Sequence, residues 1–257
     1  MIIWTYFLVS LFIFFICMII KTYIFASIEM QPYIPLTTSL SKKIHLFSID
    51  DRDIPLVSEH NNNIKEYCAL HSYTYTFLNT YRSKYNLPCY WWKFECILEY
   101  METRPDIDLI VWLDTDAFIM NPNISFESIY IQDPNKTLFI SKEINYTYQN
   151  IYNTGIWMIQ NSTIGKQILR DCIITFLTHP KCKGELNGPW GKLCYEQGMI
   201  NEKIKSTYSN DVLVIPSSLF FNTNIALKYP NKVFIYHYFI RDKQKVLLYF
   251  LNKNGIQ

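Results

Sequence analysis

Short apolar runs alternate along the chain with longer segments in which apolar residues recur at every third or fourth position. The runs predict β-strands, and the longer spacing predicts α-helices. The predicted strands are 43–49, 73–78, 108–113, 137–141, 155–160, 212–216 and 232–238. The predicted helices are 58–71, 90–101, 163–178, 195–204 and a surface helix toward Gln257. Strands that alternate with helices indicate an α/β fold, with a mostly parallel central sheet flanked by helices.

The helix predicted over 163–178 has a distinct start signal. Ser162 precedes it, and a serine hydroxyl can accept a hydrogen bond from the exposed amides of a first helical turn. The residues expected on the inner side of this helix are Ile164, Ile168, Cys172 and Phe176.

The N-terminus is apolar and uncharged from Met1 to Ile20, and Lys21 is the first charged residue. A helix of this length would cross a hydrocarbon core of about 30 Å. A cleaved signal peptide is the alternative, but it would have a basic region, a shorter apolar stretch and a small-residue cleavage site. We therefore expect a retained transmembrane signal-anchor at 1–25, a short stem at 26–42 and one domain at 43–257. The lysines and arginines beside the span do not decide its orientation.

Net charge and cysteine content restrict the partners and the compartment. A net charge of +2, without a basic run, indicates no nucleic-acid partner. Cys17 lies in the predicted span, and the other six of the 7 cysteines can form disulfides in an oxidising lumen or remain free thiols. The sequons at Asn123, Asn135, Asn145 and Asn161 permit a lumenal location. We therefore expect a single-pass membrane protein of the Golgi or ER, with its domain in the lumen.

The spacing Asp-x-Asp occurs at 51/53, 106/108 and 114/116, so the spacing alone is a weak signal. In α/β sheets, ligands bind beyond the carboxyl ends of the strands. The pair at 106/108 precedes its predicted strand and belongs to the other edge. Asp114 and Asp116 follow the carboxyl end of that strand, and Asp50 and Asp51 follow the first strand. These two groups are therefore expected to meet at one edge of the sheet.

Carboxylates at such an edge can bind a cation. Oxygen ligands suit Mg²⁺ and Mn²⁺, which are often shared with a nucleotide diphosphate. The alternative is a solvated polar turn that happens to carry two aspartates. The sequence around Asp114 and Asp116 decides between these interpretations.

The segment "VWLDTDAFIMNP", followed downstream by "YNTGIWMIQNS", resembles glycosyltransferases of the GT-A fold. More narrowly, it is similar to family 34, which contains fungal Golgi α-galactosyl- and α-mannosyltransferases and plant xyloglucan xylosyltransferases. Four further segments occur in the family's order: "NNNIKEYCALHSYTYTF", "YWWKFECILEYM", "CYEQGMI" and "HYFIRDK". The resemblance covers roughly residues 44–243 and implies a GT-A nucleotide-diphospho-sugar transferase fold.

The resemblance implies retaining transfer from a nucleotide-sugar donor, most simply a UDP-sugar, to a glycan or glycoprotein acceptor. It also implies Mn²⁺, or alternatively Mg²⁺, as the cofactor. By its match to the family motif, Asp116 would be the main metal ligand, Asp114 would hold the metal or the ribose, and His237 would complete the metal site. Without the resemblance, His237 would be read as an ordinary core or edge residue.

The resemblance also assigns residues around the donor sugar. Asn153 and Gly155 would lie beside it, although Gly155 could simply form a turn before a strand. Glu196 and Gln197 match a pair that flanks the reacting anomeric carbon. Tyr195 stands where the family often has another acid, which leaves the roles at 195–197 open.

The cation for the diphosphate is less well defined. The family tends to place a lysine five residues after the metal-binding histidine, but position 242 is Asp. Arg241 or Lys243 could substitute for it. Lys93 is a further candidate for a phosphate or base contact, and its alternative is a solvated surface lysine.

The leaving diphosphate gains negative charge in the transition state, so a metal and a nearby cation would stabilise it there. For retention, attack from the same face is favoured over a covalent intermediate, because no clear nucleophile is present. Three alternatives remain. They are a membrane-tethered binding module that has lost catalysis, a metal-dependent phosphohydrolase, and a purely structural membrane-anchored protein. The phosphohydrolase would need a Thr after its Asp-x-Asp-x turn, which "DTDAF" and "DDRDI" lack.

Overall fold

The computed structural model describes residues 42–143, 152–183, 192–223 and 233–238. The predicted signal-anchor, nearly all of the stem, the C-terminal helix, Asn145, Arg241 and Lys243 lie outside these residues. Within the described ranges, every helix is too short or too polar to span a bilayer.

Nine strands and five α-helices make up the described part of the domain. The strands are β1 Ile44–Ile49, β2 Thr74–Leu78, β3 Leu109–Leu113, β4 Ala117–Ile119, β5 Leu138–Lys142, β6 Tyr152–Gln160, β7 Val212–Val214, β8 Phe220–Thr223 and β9 Ile235–Tyr238. The helices are α1 Pro55–His71, α2 Trp92–Thr103, α3 Phe126–Tyr130, α4 Thr163–Thr178 and α5 Glu196–Lys203. Short 3₁₀ turns lie at Cys89–Trp91, Pro180–Cys182 and Ser209–Asp211, and a π-helical turn at Ile204–Tyr208 follows α5.

The central sheet has six strands in the order β2-β1-β3-β6-β5-β7. Strands β2, β1, β3, β5 and β7 run in one direction, and β6 runs against its neighbours β3 and β5. The predicted mixed α/β architecture with a mostly parallel central sheet is therefore confirmed. Because β6 is reversed, its first residues lie at the same edge as the carboxyl ends of β1, β3 and β5.

A second sheet of three strands, in the order β4-β9-β8, extends from this edge. Strand β9 pairs antiparallel with β4 and parallel with β8. Strands β4 and β8 and the short helix α3 were not predicted from the sequence. Each of these elements is five residues or fewer, too short for a periodic pattern of polar and apolar residues to appear.

The predicted cap of α4 is confirmed, because the Ser162 hydroxyl accepts a hydrogen bond from the Gly165 amide at 3.0 Å. The predicted inner face is partly wrong. Ile168 and Cys172 are fully buried, but Ile164 is 44% exposed. A step of four residues turns about 40° past a full helical turn, so a stripe drawn at this interval rotates away from the core.

A hydrophobic core fills the space between the central sheet and the helices α2, α4 and α5. Trp157 of β6 packs edge-to-face on Phe94 of α2, with ring centroids 5.6 Å apart. Trp91, in the turn before α2, is fully buried and meets Phe176 of α4. This core holds α2 and the start of α5 against the sheet edge that carries the acidic residues.

Candidate active site

A cleft of about 520 Å³ lies at the carboxyl edge of the central sheet. Its walls come from the ends of β1 and β3, the start of β6, the turn before α2 and the first turn of α5. All ten of the site residues predicted from the sequence that lie in described segments line this cleft. Its size is within the range of about 300–1,000 Å³ that is usual for small-ligand sites.

Asp114 and Asp116 occupy a turn between β3 and β4, closed by a 2.8 Å hydrogen bond from the Ala117 amide to the Asp114 carbonyl. Strand β4 pairs with β9 so that Ala117 faces His237. One ligand atom from each of Asp114, Asp116 and His237 lies within 4.8 Å of the others. The structure thus brings together the three residues predicted as metal ligands.

The His237 ring is oriented by a buried polar chain. Its Nδ1 lies 2.8 Å from Asn222 Oδ1, and Asn222 Nδ2 donates to Ser141 Oγ at 2.5 Å. With its Nδ1 hydrogen directed at Asn222, the ring presents the Nε2 lone pair to Asp116 Oδ1 at 3.1 Å and Asp114 Oδ2 at 3.9 Å. Three electron-pair donors that converge in this way fit a divalent cation.

Gly155 lies inside β6, not in a turn before the strand, so the alternative for this residue is wrong. Its carbonyl accepts a hydrogen bond from the Asp114 amide at 2.8 Å, which joins β6 to the acidic turn. A Cβ at this position would lie 2.0 Å from His237 Cε1. The glycine is therefore required because the imidazole ring rests directly on the backbone.

Lys93 is not a solvated surface lysine, because its side chain is only 7% exposed. Its Nζ lies 2.9 Å from Asp114 Oδ1, 3.2 Å from the Thr154 carbonyl and 3.4 Å from Glu196 Oε1. Burial lowers the pKa of Lys93, but the Asp114 and Glu196 carboxylates outweigh burial and hold the pKa above its usual value. Since an ammonium group has three hydrogens, these three acceptors use all of them.

Glu196 and Gln197 lie in the first turn of α5, and both are buried. Glu196 Oε1 accepts from the Thr154 hydroxyl at 3.0 Å, whereas the buried Oε2 has no hydrogen-bond partner among the described residues. Burial raises the pKa of Glu196, and Lys93 opposes that effect. Gln197 accepts from the Thr154 amide at 3.2 Å and donates to Glu143 Oε1 at 2.7 Å. The two side chains differ, since only Glu196 has an unsatisfied oxygen.

Asn153 is the second residue of β6, and both the oxygen and the nitrogen of its side-chain amide are hydrogen-bonded within the protein. Its Oδ1 accepts from the Gly155 amide at 2.7 Å, and its Nδ2 donates to Glu143 Oε1 at 3.2 Å. Glu143, at the end of β5, therefore links Asn153 to Gln197 across the cleft wall.

Asp50 and Asp51 leave the end of β1 in different environments. Asp51 is exposed at the cleft rim, whereas Asp50 is buried and accepts hydrogen bonds from Arg52 Nε at 2.8 Å and from the Thr115 hydroxyl. Burial raises the pKa of Asp50, but the hydrogen bonds from Arg52 and Thr115 outweigh it and hold the pKa below its usual value. Asp50 thus joins the end of β1 to the acidic turn.

The predicted exclusion of the pair at 106/108 agrees with the structure. Both residues precede β3, at the opposite edge of the sheet. Asp106 pairs with Arg104 at 2.8 Å, and Asp108 pairs with Lys42 at 3.3 Å. These acids are used in surface ion pairs and not in the cleft.

Several residues of the cleft were not predicted from the sequence. They are Arg52, Trp112, Thr115 and Glu143 in the cleft wall, together with Asn222 behind His237. Trp112 Nε1 donates to Asp114 Oδ1 at 2.6 Å, although its place in an apolar run suggested a simple core residue. Arg52 and Thr115 each stand next to a predicted acid, and that adjacency was the available signal.

Comparison with known proteins gives matches in sequence and in fold. The model of the galactosyl transferase GMA12/MNN10 family matches residues 36–163. The probable alpha-1,2-galactosyltransferase gmh1 of Schizosaccharomyces pombe is 38% identical over 66 residues, which are 26% of this chain. The matched region makes up 20% of the length of the yeast protein.

Among solved structures, a glycosyltransferase involved in the glycosylation of the major capsid of PBCV-1 has a similar fold. The two structures superpose with a TM-score of 0.60 and 17% sequence identity, over 80% of this chain and 98% of that one. At this identity the likeness concerns the fold, and it agrees with the predicted GT-A architecture.

Proposed function

The chain belongs to the galactosyl transferase GMA12/MNN10 family, and on that premise we propose that it is a metal-dependent glycosyltransferase. It transfers a hexose or pentose from a nucleotide-sugar, in the first place a UDP-sugar, to a glycan or glycoprotein acceptor with retention. The observation that carries this proposal is the convergence of Asp114, Asp116 and His237 at the cleft, with ligand atoms within 4.8 Å of one another.

The donor set favours Mn²⁺ over Mg²⁺, since an imidazole nitrogen is a poor ligand for Mg²⁺. When bound, Mn²⁺ supplies positive charge that stabilises the departing diphosphate. The chain orients the carboxylate of Asp114 for this role, because Trp112 Nε1 and Lys93 Nζ both donate to its Oδ1. The second oxygen of Asp114 is thereby directed toward the His237 side.

Glu196 is the group best suited to the charge on the sugar. A sugar that loses its diphosphate develops positive charge at the anomeric carbon, as in glycoside hydrolysis. Glu196 Oε1 is held by Thr154 and Lys93, and the unpartnered Oε2 is buried in the cleft wall, so the carboxylate would act on that charge through its electric field. Because the carboxylate of Glu196 is buried and is held by Thr154 and Lys93, it is poorly placed to attack the sugar, and attack by the acceptor from the same face is favoured over a covalent intermediate. Gln197, whose side chain is hydrogen-bonded to Thr154 and Glu143, lies beside Glu196 in the wall of the cleft.

The proposed location is the lumen of the Golgi or ER, with residues 1–25 as a membrane anchor. Two observations support it. The N-terminal 20 residues carry no charged side chain, and Cys182 and Cys194 form a disulfide, which is typical of oxidising compartments.

The decisive experiment is a thermal-shift panel on the full chain in detergent, with UDP-, GDP- and CMP-sugars, each with and without Mn²⁺. We expect one nucleotide-sugar to raise the melting temperature only when Mn²⁺ is present. Asp116→Ala should abolish this shift and the transfer reaction, while the unliganded protein still melts cooperatively.

The matched control is Asp106→Ala, which removes an aspartate from the same spacing at the opposite edge of the sheet. It should leave binding and transfer unchanged. Transfer by Asp116→Ala would contradict the metal assignment, and a wild-type protein that no nucleotide stabilises would overturn the proposal. Binding without turnover would instead support a catalytically inactive binding module.

A further inference from the structure

The cleft is strongly acidic for a site that should admit a diphosphate. Six carboxylates line it: Asp50, Asp51, Asp114, Asp116, Glu143 and Glu196. The lysine and arginine residues in the described lining are Lys93 and Arg52. A bound metal offsets part of the negative charge, but an anionic ligand still requires a cation with free hydrogen-bond donors.

Lys93 cannot be that cation in this arrangement. Its side chain is 7% exposed, and its three hydrogens are directed at Asp114, Glu196 and the Thr154 carbonyl. A phosphate oxygen could reach Nζ only if one of these acceptors were displaced. Lys93 therefore neutralises the neighbouring carboxylates of Asp114 and Glu196 and does not bind phosphate.

Arg52, unlike Lys93, has an exposed side chain. Its side chain is 53% exposed, and its position is fixed by Asp50, which accepts from Nε at 2.8 Å and from Nη2 at 2.5 Å. The same Nη2 lies 3.3 Å from Thr115 Oγ1, in the turn between the two candidate metal ligands. The remaining nitrogen, Nη1, has no hydrogen-bond partner among the described residues.

We propose that Arg52 binds the diphosphate of the nucleotide-sugar, with Asp50 and Thr115 as the positioning residues that hold its guanidinium beside the acidic turn. This inference rests on the proposed function and assigns the cation for that site. A guanidinium fixed by one carboxylate fork loses little conformational freedom when it binds, and its free N–H groups match phosphate oxygens. The assignment of Arg52 does not depend on Arg241 or Lys243, which lie outside the described residues.

The test uses calorimetric titration of UDP and, separately, of GDP into the full chain saturated with Mn²⁺. Arg52→Gln should weaken binding of the nucleotide that binds wild type by about 10- to 100-fold, the range of one hydrogen bond to a charged group. Arg52→Lys should retain an intermediate affinity, because it keeps the charge and loses the fork. Affinity for Mn²⁺ alone, measured by titration without nucleotide, should stay at the wild-type value in both variants.

The matched control is Arg104→Gln. Arg104 makes the same two-bond fork with an aspartate two residues away, Asp106, but at the opposite edge of the sheet. It should bind nucleotide and Mn²⁺ like wild type.

The outcomes separate this inference from the function on which it rests. If wild type binds nucleotide and Arg52→Gln binds it equally well, the Arg52 assignment is wrong and the proposed function stands. A fall in Mn²⁺ affinity in Arg52→Gln, in step with the loss of nucleotide binding, would also overturn it and assign Arg52 a purely structural role. If wild type binds neither nucleotide with Mn²⁺, it is the proposed function that fails.

Discussion

Single residues at the cleft owe their chemistry to neighbours that are distant in sequence. His237 and Asp116 are 121 positions apart, yet their side chains lie 3.1 Å from one another. Pairing of β4 with β9 brings them together, and Gly155 of β6 leaves the space that the imidazole occupies. The geometry of the candidate metal group therefore depends on a residue with no side chain.

Gly155→Ala tests this dependence. A Cβ would lie 2.0 Å from His237 Cε1, so the ring must leave its present position beside Asp116. We expect affinity for Mn²⁺ to fall at least tenfold, measured by calorimetric titration. The comparison variant is Gly165→Ala, whose Cβ would meet the Gln160 carbonyl at 2.2 Å, remote from the metal group. It should lower the melting temperature but leave the Mn²⁺ affinity of the folded protein unchanged, and equal metal affinity in both variants would refute the role of Gly155.

The buried ion pair of Lys93 and Glu196 allows a double-mutant cycle. Lys93→Met leaves Glu196 buried and unpaired, which should cost about 3–5 kcal/mol in the free energy of unfolding. In Lys93→Met/Glu196→Gln the uncompensated charge is gone, so the double variant should be more stable than the sum of the single changes predicts. We expect a coupling energy of about 1–3 kcal/mol from urea unfolding.

The matched cycle uses the exposed pair of Arg170 and Glu102, at 2.6 Å with both side chains more than 40% exposed. Its coupling energy should stay below about 1 kcal/mol, as for most surface ion pairs. Equal coupling in the two cycles would mean that Lys93 does not stabilise Glu196.

Among the elements, β6 and α5 do most to form the site. The reversed direction of β6 places its first residues at the carboxyl edge, where Thr154 contacts Glu196 and Gln197 of α5. The start of α5 is fixed by the adjacent Cys194, which forms a disulfide with Cys182 and whose carbonyl accepts from Trp91 Nε1 at 3.2 Å. The disulfide thus anchors the helix that carries the residues proposed for catalysis.

The double variant Cys182→Ser/Cys194→Ser measures the contribution of this anchor. A crosslink that closes a sequence separation of 12 residues should stabilise the fold by about 3 kcal/mol, mainly by restricting the unfolded chain. We expect urea unfolding to show that loss, and added reductant to destabilise wild type but not the double variant. Cys89→Ser, at an exposed free cysteine, should respond to reductant like wild type. If it instead abolished the response, the assigned pairing would be wrong.

At the scale of the whole molecule, two buried histidines make folding sensitive to acid. His60 bridges Ser48 and the Ala117 carbonyl, and His45 lies between Thr74 and Tyr100. Burial lowers the pKa of each to about 4, with a further contribution from Arg104 at His45. In the unfolded chain a histidine has a pKa of about 6.5.

Below pH 6.5 the unfolded chain therefore binds protons that the folded protein does not. Stability should be complete above about pH 6.5 and should decrease as the pH falls toward 4, by about 3 kcal/mol for His60 alone. Urea unfolding between pH 7.5 and 4.5 measures this slope. His60→Gln should flatten it, and an unchanged slope in that variant would show that His60 is not the group responsible.

Much of the fold could be predicted from the sequence. The pattern of polar and apolar residues predicted seven strands and the four described α-helices of eight residues or more, whereas β4, β8, α3 and the short 3₁₀ and π turns were missed. The position of Asp114 and Asp116 after a fully buried strand predicted their edge of the sheet, and family resemblance assigned His237 to them. These properties are local: periodicity reports which face of an element is buried, and the end of a buried strand marks where polar groups can meet.

Only the tertiary structure decided what each of these side chains contacts. The burial of Lys93, the space that Gly155 leaves for the imidazole and the fixed guanidinium of Arg52 all depend on strand order and on the reversal of β6. Strand order and direction arise from packing across the whole domain, since any one strand segment can pair with several partners in either direction. The sequence by itself thus determined the elements and the edge at which chemistry occurs. Global packing determined the geometry that makes this edge a site.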